Sequence, residues 1–286
     1  MVIVSPTPHT PHPTMTIYQE LALQLIQNRQ KLGRPLIQGI LGGQGTGKTT
    51  LAKALISILA ESGYRTATLS LDDLYKTYCD RMALQQSDPR LIWRGPPGTH
   101  DVDLGLTALD AIRNSQNLVT IPRFDKSAHK GAGDRTTPEI VTNIDILLFE
   151  GWFVGVRPIE SAAFDTAPPP IITAEHKTFA RDINQQLSNY LPLWERLDSL
   201  IVLYPQDYRY SLQWRKQAEH DMIATGLPGM TDIQIEEFVN YFWRALHPDL
   251  FINPLITSTE FVDLVIEINA DHSWGRAYQP NPSSNA

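Results

Sequence analysis

A glycine-rich segment near the start of the chain carries the clearest chemical signal. It fits the spacing G-x-x-x-x-G-K-[ST] in full, with an apolar run before it and a helical pattern after it. Glycines let the backbone curl so that successive N–H groups point at an anion, and a helix start adds its positive dipole end. The segment therefore predicts a triphosphate site. The residues expected to bind ATP are Gly42, Gly43, Gln44, Gly45, Thr46, Gly47, Lys48, Thr49 and Thr50.

Three side chains have distinct expected tasks at this site. The Lys48 ammonium is expected to bridge the β- and γ-phosphates, and the Thr49 hydroxyl to bind Mg²⁺. Glu150 closes a buried apolar run, which is the arrangement of a Walker B carboxylate that holds Mg²⁺ directly or through water. These residues predict ATP and Mg²⁺ dependence. They do not separate a kinase from a motor, a GTPase or a non-catalytic binding module.

Two adjacent acids, Asp72 and Asp73, follow the second predicted strand. Ligands of open parallel sheets bind beyond the carboxyl ends of the strands, so a carboxylate there faces the γ-phosphate. Phosphoryl transfer to an alcohol needs a group that orients the hydroxyl and accepts its proton. Either acid fits that task. The alternative is a helix N-cap, and two neighbouring carboxylates allow one to cap and the other to catalyse.

Two polar segments follow, Arg94–Asp101 and Pro122–Arg135. In a chain with a formal charge of -7, the concentration of cations in the second segment predicts an anion site, although a solvated basic loop is the plainer alternative. The cations of the second segment are Arg123, Lys126, His129, Lys130 and Arg135. Farther along, Arg209 and Arg215 are predicted to lie on a lid helix that neutralises charge during transfer, with a solvated helix face as the alternative.

The elements that position these residues follow from apolar periodicity. Strands are predicted over 36–41, 66–71, 144–149, 200–204 and 262–268, and helices over 18–32, 48–61, 102–113, 208–225 and 232–246. Their alternation predicts an α/β fold with a mostly parallel central sheet and helices on both faces.

The organisation along the chain is predicted to be one kinase domain over residues 15–278. Residues 1–14 read as a disordered tail and 279–286 as a flexible one. Insertions that carry substrate and lid residues are expected at about 80–140 and 157–195. The stretch Arg157–Ile172 contains four prolines and is predicted to be a surface excursion.

Composition narrows the class of partner. The 24 Lys and Arg against 31 Asp and Glu argue against nucleic acid or an anionic membrane as ligand. A single cysteine, Cys79, suits a reducing compartment. No apolar run approaches the roughly 18 residues of a membrane span, and no targeting signal is evident. We expect a cytoplasmic protein, and the sequence implies no obligate protein partner.

The phosphate loop, Ser70–Tyr75 and Phe149–Gly151 together resemble the uridine kinase, phosphoribulokinase and pantothenate kinase superfamily. The resemblance implies a three-layer P-loop NTPase fold, with Asp72 as the catalytic base and Glu150 as the Walker B acid. The segment from Pro122 to His129 resembles the uridine kinase substrate loop, with Phe124 where those enzymes often carry tyrosine.

A closer resemblance, over roughly Pro35–Ile268, is to the plant-type D-glycerate 3-kinase family. It implies transfer from ATP to D-glycerate, giving 3-phosphoglycerate and ADP, the reaction that ends photorespiration. The motifs that carry it are Ser70-Leu71-Asp72-Asp73, Gly98-Thr99-His100-Asp101, Pro122-Arg123-Phe124-Asp125-Lys126-Ser127, Gly131-Ala132-Gly133-Asp134-Arg135, Glu150-Gly151-Trp152 and Leu191-Pro192-Leu193-Trp194.

Under this resemblance the acceptor is a small anion, and fixed cations are expected to hold its carboxylate. Asp72, Lys48 and Arg215 are the expected catalytic residues. The alternatives are a kinase of another small hydroxylated metabolite, such as a nucleoside or pantothenate, and a non-catalytic ATP-binding module. The residues expected at the acceptor are Asp73, Tyr75, His100, Asp101, Arg123, Asp125, Lys126, His129 and Arg135.

Overall fold

The computed structural model describes residues 16–226 and 228–280, so the tail predicted over residues 1–14 and the last six residues lie outside the described part. Within it, the strands are β1 (Leu36–Gly42), β2 (Thr66–Ser70), β3 (Leu118–Asp125), β4 (Asp134–Thr142), β5 (Ile146–Gly151), β6 (Ser199–Pro205), β7 (Leu264–Ile268) and β8 (Trp274–Tyr278). The helices are α1 (Ile17–Leu32), α2 (Lys48–Glu61), α3 (Tyr78–Ser87), α4 (Val102–Arg113), α5 (Ala174–Gln186), α6 (Leu191–Trp194), α7 (Tyr210–Ala224), α8 (Asp232–Ala245) and α9 (Pro248–Leu255).

The central sheet has the strand order β2–β5–β1–β6–β7–β8. Its strands pair in parallel except for β8, which runs antiparallel to β7 at one edge. Every residue of β1 is buried, as expected of a strand covered on both faces. The predicted α/β fold with a mostly parallel sheet is therefore confirmed.

Helices cover both faces of this sheet. On one face, α1 and α2 pack on β1 and β5 through side chains such as Leu25, Leu55 and Ile40. On the other face, α4, α5, α8 and α9 enclose the larger apolar core, in which Phe149 and Phe153 are fully buried. Of the helices in the described ranges, none is long and apolar enough to cross a membrane.

A separate antiparallel hairpin, formed by β3 and β4, stands beside the sheet. The segment Pro122–Arg135, predicted to be a polar loop, is the distal part of this hairpin and its turn. Most residues of β4 are exposed on both sides, so the alternation of apolar and polar residues that marks a half-buried strand is missing. The hairpin was not predicted for this reason.

The segment Arg157–Ile172 was predicted to be a surface excursion, and most of its residues are exposed or half-buried, but two apolar side chains anchor it. Phe164, within a short 3₁₀ helix, and Ile171 are fully buried in the larger core. Phe164 lies 6.2 Å, between ring centroids, from Phe251 of α9. The prolines prevent a regular helix or strand but not the burial of apolar side chains between them.

Candidate functional site

The phosphate loop connects the buried strand β1 to helix α2, as its sequence predicts. Gly45 and Gly47 adopt φ values of 79° and 85°, a left-handed conformation that glycine reaches without strain. The Lys48 side chain turns back over the loop, and its Nζ donates to the Gly43 carbonyl at 3.0 Å. The loop thus has the shape of an anion cradle at a helix N-terminus.

Helix α7 and the β7–β8 turn close one side of this cradle. Trp214 of α7 is buried against Gly45, where an added Cβ would lie 2.9 Å from the indole. The imidazole of His272 stacks on Trp214 with 4.5 Å between centroids, and its Nδ1 lies 3.0 Å from the Gly45 carbonyl oxygen. The loop conformation is therefore supported by tertiary packing as well as by its glycines.

Strand register brings the predicted Walker B acid between the two other parts of the site. Glu150 of β5 pairs with Ile40 of β1 on one side and with Ser70 of β2 on the other. β1 leads directly into the phosphate loop, and β2 leads into Asp72. All three groups therefore lie at the carboxyl edge of the sheet, where open α/β folds bind ligands.

Electrostatics agree with this placement. Burial lowers the pKa of Lys48, and the nearby carboxylates of Glu150 and Asp72 oppose that effect. The buried ammonium attracts phosphate anions, and the carboxylates attract a cation that bridges those phosphates.

The Asp72 carboxylate is held at both oxygens. Tyr75 Oη donates to Oδ1 at 2.9 Å, and Lys126 Nζ lies 2.6 Å from Oδ2. Burial alone would raise the pKa of Asp72, but the Lys126 charge and the bonds from Lys126 and Tyr75 outweigh it and lower that pKa. The carboxylate is therefore ionised at neutral pH, the state that a proton acceptor requires.

The neighbouring acid, Asp73, faces the protein. Its carboxylate accepts from the backbone N–H of Ser70 at 3.0 Å and of Phe124 at 3.2 Å, and it pairs with Arg123 at 3.0 Å. Burial raises the pKa of Asp73 against these stabilising contacts. Asp73 therefore fastens the β3–β4 hairpin to the end of β2.

The predicted acceptor cations lie around this hairpin, but most contact nearby carboxylates. Besides Asp73, Arg123 pairs with Glu139 at 2.6 Å. Arg135 pairs with Asp101 at 2.6 Å and donates to the Tyr75 carbonyl. These arginines therefore hold the acceptor-side elements together.

The turn of the hairpin contains the remaining predicted residues. His129 Nε2 lies 3.1 Å from Asp134, and its ring stacks on Tyr78. Asp125 accepts from the Ser127 backbone and hydroxyl, which shapes the turn. Lys126 is mostly exposed and reaches Asp72, as described above.

His100 is fully enclosed beside Tyr75. The two rings stack with 4.5 Å between centroids, and His100 Nδ1 lies 2.9 Å from Tyr190 Oη. The same hydroxyl oxygen accepts from the Gly98 N–H at 2.8 Å. Burial lowers the pKa of His100 to about 3, so the ring is neutral.

His100 Nε2 is buried and has no hydrogen-bond partner among the described residues. A buried ring nitrogen without a hydrogen-bond partner is costly unless a ligand supplies one. Tyr190, whose hydroxyl lies 2.9 Å from His100 Nδ1, was not predicted as a site residue. The only signal for it was its position directly before the Leu191–Trp194 motif.

The predicted lid cations are engaged by local acids. Arg209 is mostly exposed and pairs with Asp207 at 2.7 Å. Arg215 pairs with the buried Glu219 one helical turn away. Arg209 directly precedes α7. Arg215 follows Trp214, which packs against Gly45 of the phosphate loop.

A cavity of about 370 Å³ adjoins the beginning of the phosphate loop. Its wall includes seven aromatic side chains, and Gln44 Oε1, which belongs to a lining residue, is buried without a partner among the described residues. The aromatic lining residues are Trp152, Phe153, Tyr204, Tyr208, Phe242, Trp243 and Phe251.

The oxygen donors of Thr49 and Glu150 suit Mg²⁺, which prefers hard ligands and keeps several waters. In the described part of the chain, no group of three or more His, Cys, Asp or Glu side chains is placed to hold a metal. Thr49 and Glu150 therefore fit a metal that takes its remaining ligands from phosphate and water.

Known kinases are similar to this chain in sequence and in structure. The chain is 34% identical over 242 residues to the uncharacterized kinase mug58 of Schizosaccharomyces pombe, covering 80% of this chain and 86% of that protein. It is 32% identical over 231 residues to the chloroplastic D-glycerate 3-kinase of Arabidopsis thaliana, covering 76% of this chain and 49% of that protein.

Among solved structures, D-glycerate 3-kinase from Cryptococcus neoformans var. grubii superimposes with a TM-score of 0.82 at 29% identity, covering 93% of this chain and 100% of that one. No protein-family model matches the chain.

Proposed function

The chain belongs to the family of P-loop kinases that includes plant-type D-glycerate 3-kinase, and from that premise we propose that it phosphorylates the 3-hydroxyl of D-glycerate. It is a small-molecule kinase with ATP as co-substrate. The proposed products are 3-phosphoglycerate and ADP. A cytoplasmic role in photorespiration belongs to the same proposal.

The observation that carries the proposal is the ionised Asp72 carboxylate at the sheet edge shared with the phosphate loop. Asp72 orients the acceptor hydroxyl and accepts its proton as the new O–P bond forms. Lys126 must yield its position on Oδ2 when the hydroxyl arrives. Lys48 neutralises charge on the transferred group, and Arg209 or Arg215 assists from α7.

Mg²⁺, when bound by Thr49 and Glu150, neutralises phosphate charge. The acceptor lies between the phosphate loop and the β3–β4 hairpin. His100 Nε2–H donates to an acceptor oxygen, and Lys126 supplies positive charge for the carboxylate. Asp73, Tyr75, Asp101, Arg123, Asp125, His129 and Arg135 shape the acceptor site.

A second acceptor class is favoured by the cavity of about 370 Å³ beside the loop. Its aromatic wall offers apolar surface that a three-carbon acid does not use, and drug-sized ligands occupy cavities from about 300 Å³ upward. A larger hydroxylated metabolite, nucleoside-like or pantothenate-like, is therefore the alternative acceptor. A non-catalytic ATP-binding module is the alternative outside enzymes.

The test is ADP release with Mg²⁺–ATP and a panel of acceptors: D-glycerate, L-glycerate, glycerol, uridine and pantothenate. D-Glycerate should give the highest kcat/KM, and Lys48→Ala should abolish turnover with every acceptor. Preference for uridine or pantothenate would replace glycerate with the second acceptor class. ATP binding without acceptor-dependent ADP release would support the module.

A further inference from the structure

Two arginines outside the predicted site residues share one aromatic support. Arg81 of α3 and Arg94 both lie over the Phe124 ring, with 5.1 and 5.6 Å from guanidinium carbon to ring centroid. Arg94 also lies 5.9 Å from the ring centroid of Tyr75. Within residues 16–226 and 228–280, neither forms an ion pair with a carboxylate, in contrast to Arg123 and Arg135.

Backbone carbonyls hold both guanidinium groups in place. Arg81 is buried, and its Nη atoms donate to the carbonyls of Lys76, Ala132 and Gly133. Arg94 donates through Nη1 alone, to Gly131 at 2.7 Å and Ala132 at 3.0 Å.

The other edge of Arg94, formed by Nε and Nη2, has no protein acceptor in the described part of the chain. This edge presents two parallel N–H groups, the geometry that binds a carboxylate or phosphate through both oxygens. Because Nη1 is fixed by two carbonyls, the edge is already oriented.

The positive charges of Arg81 and Arg94 also favour a bound anion. Burial lowers the pKa of Arg81, the positive charge of Arg94 lowers it further, and the Asp134 carboxylate opposes both effects. Two like charges against one ring, with neutral carbonyls as their contacts, repel each other. A bound anion between them would remove that repulsion.

Space for such an anion lies beside both side chains. A cavity of about 280 Å³ is lined by Arg81 and Arg94 together with Gln85, Trp93 and Thr99. Neither the phosphate loop nor Asp72 contributes to its wall. We propose that Arg94, supported by Arg81, forms a second anion site that binds the carboxylate or phosphate group of a small molecule. The site does not depend on glycerate being the acceptor.

The experiment is a calorimetric titration of the full chain with inorganic phosphate. Saturating Mg²⁺ and a non-hydrolysable ATP analogue keep the phosphate loop occupied. Arg94→Gln should raise the Kd for phosphate by at least about tenfold, the loss expected for a charge-assisted hydrogen bond. Arg90→Gln is the matched control, because Arg90 is surface-exposed and pairs with Asp88 and Asp182. It should leave the Kd unchanged.

Repeating the titration with saturating D-glycerate identifies the source of the anion. Competition assigns the site to the carboxylate of the acceptor, and simultaneous binding assigns it to a separate anionic metabolite. Wild-type affinity in Arg94→Gln, an equal loss in Arg90→Gln, or binding of an adventitious ion only, without saturation, would overturn the proposal.

A measurement on the wild-type chain covers the case in which Arg94→Gln does not fold, since Arg94 holds the turn at Gly131 and Ala132. Phenylglyoxal modifies accessible arginines, and mass spectrometry maps the modified positions. Phosphate should protect Arg94 by several-fold and leave Arg90 unprotected. Equal modification of Arg94 with and without phosphate would refute the site.

Discussion

Asp72→Asn isolates proton acceptance from the rest of the site. The amide keeps the shape of the carboxylate, and its oxygen still accepts from Tyr75 Oη, 2.9 Å away in the native protein. It can neither accept the proton of an alcohol nor pair with Lys126. Phosphate-loop contacts are unchanged, so ATP should bind with near-native affinity.

The expected effects of Asp72→Asn on folding stability and on turnover differ in size. The Lys126 side chain is 62% exposed, so the lost ion pair with Asp72 costs at most about 1 kcal/mol of folding stability. Loss of a general base lowers turnover by about 10²–10⁴, or roughly 3–5 kcal/mol of transition-state stabilisation. The variant should therefore fold normally and fail in catalysis.

The assay measures acceptor-dependent ADP release and, separately, the Kd for ATP by calorimetry. We expect kcat to fall about 10²–10⁴-fold while the Kd for ATP changes less than about threefold. Asp103→Asn, an exposed acid in the first turn of α4, is the control and should match the wild type. A kcat within tenfold of wild type for Asp72→Asn would refute Asp72 as the base.

Three further predictions test the neighbouring residues. Asp73→Asn replaces one of the two acceptor oxygens with an amide donor, so one of two backbone N–H groups loses its acceptor and Arg123 loses its charged partner; chemical denaturation should show a loss of about 1–3 kcal/mol, and unchanged stability would contradict its structural role. Glu150→Gln should raise the Mg²⁺ concentration for half-maximal turnover by about tenfold or more, because a ligand charge is lost; an unchanged Mg²⁺ dependence would place the metal elsewhere. His100 stays neutral when folded, with a pKa of about 3, whereas the unfolded chain takes up a proton near pH 6.5. Stability should therefore fall as pH drops from 7 to 5, by about 2 kcal/mol through this residue, and His100→Gln should remove that part of the loss in urea titrations. Identical pH profiles for the two proteins would show that folding does not lower the pKa of His100.

The parts of the site that are contiguous in the chain were predictable from the sequence. The phosphate loop depends on glycine conformation and on a strand and helix that flank it directly, so its spacing determines its shape. Helices Lys48–Glu61 and Val102–Arg113 have the bounds that their periodicity predicts. The buried strands were equally clear, because runs of apolar residues are covered on both faces.

The exposed hairpin and the two buried anchors of the proline-rich segment were not predictable in this way. Strand β4 has no buried face to impose an alternating pattern. The burial of Phe164 and Ile171 depends on α5 and α9, which follow later in the chain. Local composition therefore missed both features.

Tertiary structure alone decided how the charges are shared. Lys126 meets Asp72 across 54 positions of sequence and Arg123 meets Asp73 across 50, so no local pattern separates the acid that faces the cleft from the one that fastens the hairpin. The same folding pairs Arg135 with Asp101 and leaves one edge of Arg94 without a protein acceptor in the described residues. The composition gives the number of cations but not their partners. Side-chain ion pairs act over a few ångströms, so only the folded chain determines which cations lie beside a carboxylate.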